Sequence, residues 1–269
     1  MNPAPLGKAT GEPYRSPVKS VTGRALEVLG SFDLDHQLMT LTEISRRAGI
    51  PMSTVYRLVG ELVDGRFLER FEHGRYGLGI RLWEMGVMAP WYGQLREMAM
   101  PFLLSLQYES GDTVQLAVCE GVHALYLEKL TADTTAPHAS RIGSRMPLHA
   151  TGIGKVLLAF GEKAFTEAIL AMPLERYTEA TLTDRNSLTR ELTQIRSQRY
   201  ALSHQEYHPG SSSVAVPVFA GPALKAAIGI VSYSMREDLD RYVPTMLDAA
   251  NKLGERLTSE QFMQGHSRA

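Results

Sequence analysis

Residues 40–64 read TLTEISRRAGIPMSTVYRLVGELVD and split into two short helical patterns with a break between them. In the first, Leu41, Ile44 and Ala48 share a face, and Thr40 and Glu43 have the spacing of a capping box. There the Thr hydroxyl and the Glu carboxylate each satisfy a free backbone N–H of the first turn. Gly49 stands where a left-handed C-cap residue is needed, and Pro51 opens the next helix because its missing N–H costs nothing there. In the second, Val55, Leu58, Val59 and Leu62 fall at i, i+3, i+4 and i+7, with Ser53, Thr54, Tyr56, Arg57, Gly60 and Glu61 opposite. Such a pair is either a helix-turn-helix, whose second helix enters the DNA major groove, or an ordinary helical hairpin. This stretch alone does not separate them.

The residues that follow favour the first. Arg66 to Gly79, RFLERFEHGRYGLG, alternates as a strand, turns at Glu72-His73-Gly74 and returns through Arg75-Tyr76-Gly77-Leu78. A β-hairpin directly after a recognition helix is a wing, and a bare helical hairpin has no need of one. On the recognition helix, Ser53, Thr54, Tyr56 and Arg57 are the candidates for base edges and phosphates, arginine being the usual reader of guanine. Arg70 and Arg75 are suited to phosphate or minor groove. Lys19, Arg24 and Arg46 are secondary phosphate candidates; of Arg46 and its neighbour Arg47, one is expected simply to lie on a solvated face.

The 269 residues suffice for two domains, each with its own core. A formal net charge of −1 excludes a generally basic nucleic-acid coat. Arg15 to Arg81 nevertheless holds ten Lys/Arg against eight Asp/Glu, which permits a basic face on the first domain. A single cysteine, Cys119, excludes an intrachain disulfide and a thiolate zinc site, and its apolar strand context reads as a buried small hydrophobe. No N-terminal apolar segment resembles a signal peptide, and no run approaches the ~20 apolar residues of a membrane span. A cytoplasmic protein without a membrane partner is expected.

Residues 1–17, rich in Pro, Gly and small residues, read as a flexible tail. A helix capped by Ser20, with Val21, Ala25, Val28, Leu29 and Phe32 as its stripe, is expected to brace the helix-turn-helix and complete a DNA-binding domain over 18–79. Ile80 to Ala89 is a helical pattern halted before Pro90; residues 80–93 form a linker helix, and Trp83, Trp91 and Tyr92 are either core or an interface between subunits, the latter being expected for at least one of them. Gln94 to Glu109 is helical with an interruption at Pro101. Strands at 113–120 and 123–130 follow, then a loop at 131–140 and helices starting near Leu148, Lys163 and Asp184. Strands at 200–207, 213–219 and 225–234 and a final helix over 237–261 complete a second domain over 94–262. Strands, then helices, then strands and a helix make an α+β pattern with a mainly antiparallel sheet.

From about Val18 to Leu257 the chain resembles the IclR family of bacterial transcription regulators. The resemblance is carried, in order, by Arg24-Ala25-Leu26, LTEISRRAGIPMSTVYRLV, the wing with RYGLGIRL, PLHATGIGKVLLA, TLTD at Thr181 to Asp184, RSQRYALSHQEYHPG, and SVAVPV at Ser213 to Val218. It implies an N-terminal winged helix-turn-helix domain joined by a linker helix to a GAF-like α/β effector-binding domain. It further implies a homodimer or dimer of dimers on double-stranded operator DNA, and an effector pocket lined by the HATGIGK segment and the last strands. The position before VAVPV that is often Cys in the family is Ser213 here, within a run of three serines. An effector preference therefore does not carry over from relatives.

HATGIGK, residues 149–155, is not a P-loop: His149 stands where the first Gly is required and Val156 where Ser or Thr must follow the Lys. Small residues at a helix start leave N–H groups and the positive dipole end facing a cavity, which is an anion site; equally, glycines allow helix to pack closely on sheet. With the pocket that the resemblance implies, the first reading leads. Thr151, Gly152, Ile153 and Gly154 then form the helix start, and Ser203, Ser211, Ser212 and Ser213 offer hydroxyls. Met146, Ile153 and Val231 supply apolar walls, and Gly229 lies among the last strands. The expected effector is a small carboxylic acid held without a dedicated basic residue, with Lys155 pointing along the helix exterior. His204 and His208 lie on a strand-to-loop segment with only His149 as a third candidate, so no metal and no cofactor are expected. No Gly-x-Ser-x-Gly elbow occurs, and no nucleophile, base and orienting group converge in the sequence. The expected function is a transcription regulator of catabolic genes whose operator binding responds to the acid. The alternatives are an enzyme acting on a small organic acid with an appended helical domain, and a winged helix used only for protein contacts.

Overall fold

Val28, Ile44, Val55, Leu58, Val59 and Leu68 recur at helical and strand spacing, and all six are buried together with Met39 and Ile50 in one core. The computed structural model describes residues 20–131, 140–233 and 238–259. The expected tail, Lys19, most of the 131–140 loop and the end of the final helix lie outside the described residues. The chain divides into two compact units, the first ending at Pro90 and the second starting at Trp91.

The first unit runs α1 (Val21–Gly30), β1 (Met39–Thr40), α2 (Leu41–Ala48), α3 (Met52–Asp64), β2 (Leu68–Arg70), β3 (Arg75–Leu78) and α4 (Ile80–Val87). The capping box forms in both directions: Glu43 N–H donates to Thr40 Oγ1 at 3.4 Å, and Thr40 N–H donates to Glu43 Oε2 at 2.8 Å. Gly49 closes α2 at φ +66°, a conformation that side chains with a β-carbon rarely adopt. Pro51 caps α3 from outside, its carbonyl accepting from Thr54 and Val55 at 2.9 and 3.0 Å. Strands β2 and β3 pair antiparallel as the wing, with Leu68 opposite Leu78 and Arg70 opposite Tyr76. The two-residue β1 adds to the other edge of β3, with Thr40 opposite Arg75. Two residues are too few to show an alternation, so this strand left no mark in the sequence pattern.

The second unit holds α5 (Pro90–Ser110), β4 (Thr113–Glu120), β5 (His123–Leu130), β6 (Arg145–Pro147), α6 (Gly152–Phe160), α7 (Lys163–Leu170) and α8 (Arg185–Gln198), then β7 (Ala201–His204), β8 (Ser212–Ala220), β9 (Ala223–Ser232) and α9 (Val243–Ser259). The expected interruption at Pro101 is not there: α5 runs through it. Leu95 and Ala99 on one side and Leu103 and Leu106 on the other are buried, so packing outweighs the hydrogen bond that proline removes. The six strands form one antiparallel sheet in the order β6-β5-β4-β9-β8-β7.

Alternation sends bulky residues to one face of this sheet and small ones to the other. Leu116, Val118, Val216, Val218, Ile228 and Ile230 pack with α5 and α9. Ala117, Ala215 and Ala227 face the cluster that holds Val156 and Leu157 of α6 and Leu188 and Leu192 of α8. Cys119, expected to be buried, is exposed near the tip of the β4–β5 hairpin, where its thiol donates to Gly121 O at 3.7 Å. The sheet's cover does not extend that far out. Among the described residues, no helix is long and apolar enough to cross a membrane.

Candidate functional site

On the first unit, the buried stripe of α3 leaves Ser53, Tyr56 and Arg57 exposed and Thr54 half-buried on the outward side. Arg57 is engaged there with Glu61, Nη1 to Oε1 at 2.5 Å, as an i,i+4 pair whose members are both mostly exposed. Such a pair is worth little and exchanges readily for a DNA partner. Arg70 and Arg75 are exposed on the wing, Arg46 is exposed on α2, and Arg24 is half-buried on α1. The adjacent Arg47 turns the other way: its Nε donates to Ser31 O at 2.8 Å and its Nη2 pairs with Asp33 at 2.5 Å, bracing the loop after α1. Backbone and hydroxyl hydrogen bonds from Thr40 hold the Glu43 carboxyl below its usual range, with Arg75 and Arg46 adding to the effect. Arg46 itself lies in the last turn of α2, and Arg75 stands opposite Thr40, the cap of that helix.

On the second unit, sheet register assembles a cavity. Ser213 on β8 stands opposite Ser203 on β7 and Val231 on β9, making one row of side chains. In the next row, Gly229 stands between Ala215 and Gln115. Helix α6 starts over these rows. A β-carbon on Gly152 would come within 2.8 Å of Ser213 Oγ, and one on Gly229 within 2.8 Å of the Ile153 side chain. Only glycine lets the helix end and the sheet approach so closely. The cavity between them has a volume of about 50 Å³, room for only a few waters, so a ligand must be small or must part the walls.

Of the sequence candidates, Met146, Thr151, Gly152, Ile153, Ser203, Ser211, Ser213, Gly229 and Val231 line this cavity. Gly154 and Ser212 do not. A β-carbon on Gly154 would abut Leu148 and Thr151 beneath the helix start, and Ser212 is buried on the other side of β8 with its hydroxyl 3.3 Å from His204 Nδ1. Strand alternation forbids three consecutive serines from sharing one wall. The Thr151 hydroxyl is already used, donating to Pro147 O and accepting from Gly154 N–H, both at 3.0 Å. Lys155 N–H bonds to Thr151 O. The N–H groups of Gly152 and Ile153 are thus the ones at this helix end without an intrahelical partner.

Sequence reading missed the aromatic part of the lining: Tyr126, Tyr207, Tyr233 and His208 also face the cavity, with Gln115 and Ser140. Burial raises the phenol pKa of all three tyrosines, so they stay neutral and can donate. His149 lies behind this wall and donates from Nε2 to Glu175 O at 2.8 Å. With Tyr177, whose ring centroid is 4.9 Å from that of Tyr207, it backs the lining. His149, His204 and His208 each have other partners, and among the described residues no cluster suited to a metal occurs.

The second omission is also a correction. Lys155 does not run along the helix exterior; it is fully buried. Its Nζ pairs with Glu191 Oε1 and Glu206 Oε1, each at 2.5 Å, and donates to Leu202 O at 3.1 Å. Helix α6 is enclosed by sheet, α8 and β7, which a one-dimensional stripe of apolar residues cannot reveal.

A winged helix-turn-helix unit, together with an antiparallel-sheet unit enclosing a small cavity of neutral donors, defines a one-component transcription regulator. The sequence matches the family model for the IclR helix-turn-helix domain over residues 21–71 and that for the bacterial transcriptional regulator IclR C-terminal domain over 93–255. It is 34% identical over 225 residues to the HTH-type transcriptional regulator XynR of Escherichia coli K12, covering 82% of this chain and 89% of that protein. It is 33% identical over 245 residues to BhcR of Paracoccus denitrificans, covering 87% and 85%. The fold is similar to the crystal structure of an IclR homolog complexed with 4-hydroxybenzoate from Microbacterium hydrocarbonoxydans. That similarity has a TM-score of 0.83 at 31% identity and covers 87% of this chain and 98% of that one. The chain belongs to the IclR family of bacterial transcriptional regulators.

Proposed function

We propose that this regulator binds a near-palindromic operator as a homodimer or dimer of dimers, and that a small carboxylic acid bound in the cavity alters that binding. One observation carries the effector reading. The start of α6, which carries the Gly152 and Ile153 N–H groups at the positive end of the helix, abuts the Ser213 hydroxyl at Gly152, while no Lys or Arg is among the described residues lining the cavity. A carboxylate fits such a donor set, its charge met by dipole and hydrogen bonds rather than a counter-ion. A cation would meet the wrong end of the dipole. That an IclR homolog of similar fold was crystallised with 4-hydroxybenzoate supports an acid of modest size.

On the DNA side, Ser53, Thr54, Tyr56 and Arg57 read the major groove, and Arg46, Arg70 and Arg75, with Arg24 and Lys19, contact backbone or minor groove. Helix α4 supports self-association: Ile80, Trp83 and Val87 form an exposed apolar stripe, Trp83 being 66% exposed. A two-fold protein calls for mirrored half-sites. The regulated genes are those that catabolise the acid. By linkage, the acid must bind the DNA-bound and free conformations unequally, or it regulates nothing.

The test is a calorimetric titration of short-chain and aromatic acids beside their amides, paired with an operator gel shift. An acid that binds and changes operator affinity, with an amide that does neither, supports the reading. Equal binding of the amide overturns it.

A further inference from the structure

Helix α3 holds a glycine that the fold does not use. Gly60 is the ninth of its thirteen residues, an interior position where glycine is less favourable than alanine because it orders a freer backbone. Its own surroundings give no reason for it. A β-carbon added there would meet no atom within 4 Å, and the backbone is not in the left-handed region. By contrast, a β-carbon on Gly152, Gly154 or Gly229 would come within 3 Å of a neighbour. What sets Gly60 apart is its place on the helix. Val55, Leu58, Val59 and Leu62 form the inward stripe, packed in the core of the first unit. At 3.6 residues per turn, Ser53, Arg57, Gly60 and Asp64 fall nearest the midline of the opposite side, with Tyr56 and Glu61 further round on either hand. All six are exposed. Helical side chains lean towards the N-terminus, so one at position 60 would cover the turn that carries Tyr56 and Arg57. Arg57 is bonded to Glu61, on the far side of the midline from Tyr56. The bare backbone of Gly60 therefore leaves a notch between Tyr56 and Arg57.

We infer, on the reading of α3 as the recognition helix proposed above, that Gly60 is a positioning residue of the DNA interface: it lets α3 seat with its backbone against the DNA, so that Tyr56 and Arg57 reach base edges on either side. A β-carbon at 60 holds the helix axis away from the groove. Hydrogen bonds to base edges weaken steeply with distance, so they are lost first. Phosphate contacts are carried by the long side chains of Arg46, Arg70 and Arg75 on α2 and the wing, which can follow the backbone as the helix lifts. The missing side chain thus serves discrimination between sequences more than affinity for DNA as such. It also sets stability against recognition: the substitution that improves the free helix is the one that spoils its seating.

The experiment uses the full chain, the duplex it enriches from a random-sequence library, and a scrambled duplex of the same composition. Fluorescence anisotropy and thermal unfolding are measured on each variant. Gly60→Ala is expected to raise the thermal midpoint by about 2–4 °C. It should at the same time lower the ratio of enriched-duplex to scrambled-duplex affinity at least about tenfold, the discrimination carried by one good base contact. Affinity for the scrambled duplex should stay within about twofold and keep its salt slope, since no phosphate contact is removed. Gly60→Leu, which fills the notch, should bring the ratio down further. Gly30→Ala is the control: it sits at the exposed end of α1, where a β-carbon also meets nothing, and should leave the ratio as in wild type. A wild-type ratio in Gly60→Ala, beside a lowered ratio in Arg57→Ala, overturns the inference and leaves α3 as the reading helix. Equal losses on both duplexes, or a lowered thermal midpoint in Gly60→Ala, overturn it too. A ratio unchanged in Arg57→Ala as well, or a chain that enriches no duplex, overturns both.

Discussion

The hydroxyl oxygen of Ser213 lies 2.8 Å from where a β-carbon on Gly152 would sit. The contact ties a helix end to the facing strand with nothing but hydrogen between them. Gly152→Leu should fill that gap and abolish effector binding while operator affinity stays within about twofold of wild type, since the recognition helix belongs to the other unit. Calorimetry beside fluorescence anisotropy on labelled operator checks both halves.

On DNA, the two arginines should behave differently. Arg57→Ala should relax discrimination at one base position and cost about 1–3 kcal/mol on operator, the range for a bidentate guanine contact. Arg75→Ala should weaken operator and random DNA alike and reduce the salt slope by about 1. Anisotropy on matched and scrambled duplexes across a salt series separates the two; an unchanged operator-to-random ratio for Arg57→Ala would place the reading face elsewhere.

Subunit assembly should depend on α4. Trp83→Glu puts a charge into the exposed apolar stripe and should convert the assembly to monomer at micromolar concentration, as read by light scattering. Wild type that is already monomeric there contradicts the interface.

Lys155→Met should destabilise the protein by about 3–5 kcal/mol, because it strands Glu206 without its cation in a dry site. Adding Glu206→Leu to that variant should recover most of the loss, since an apolar pair replaces the ionic one. Urea unfolding of the three proteins measures it.

Acid should weaken the fold partly through one histidine. Burial depresses the His149 pKa below 6.5, and the Nε2–H bond to Glu175 O only partly offsets this; His123 shifts the same way, from burial and Arg145. Between the depressed value and 6.5 the unfolded chain binds more protons than the folded one. The stability they contribute is therefore present above pH 6.5 and is lost as pH falls through the folded values. Thermal midpoints from pH 7.5 to 5 should decline, and His149→Gln, which keeps an N–H donor, should decline less steeply. Equal slopes would remove His149 from the account.

The residues around Thr40 and Gly49 announced their structure because caps and left-handed turns are local: a hydroxyl, a carboxylate three positions on and a glycine suffice. The same holds for the antiparallel strands with clear alternation and for Asp184, which caps α8 by accepting from Ser187 N–H. Nine of the cavity's lining residues were named from the sequence, but glycines at a helix start fit close packing as well, and it was the family resemblance that made them a pocket. The remainder depended on what packs on what. Lys155 looked like an ordinary exposed helix lysine until α8 and β7 closed over it. Tyr126 on β5, Tyr207 in the loop after β7 and Tyr233 just past β9 belong to different segments and meet only when the unit folds. Ser212 looked equivalent to Ser213, and a single step along the strand sends it to the opposite face.

The division of the sheet into a bulky face and a small one has an evolutionary consequence. Leu116, Val216 and Ile228 knit the fold with α5 and α9, whereas the opposite side presents Ala117, Ala215, Ala227 and Gly229. Of these four only Gly229 lines the recess, against Ile153, so it is there that an added methyl reshapes it, away from the layer that packs on α5 and α9. A descendant can thus acquire a taste for a different metabolite through exchanges at the recess while the bulky layer stays as it is.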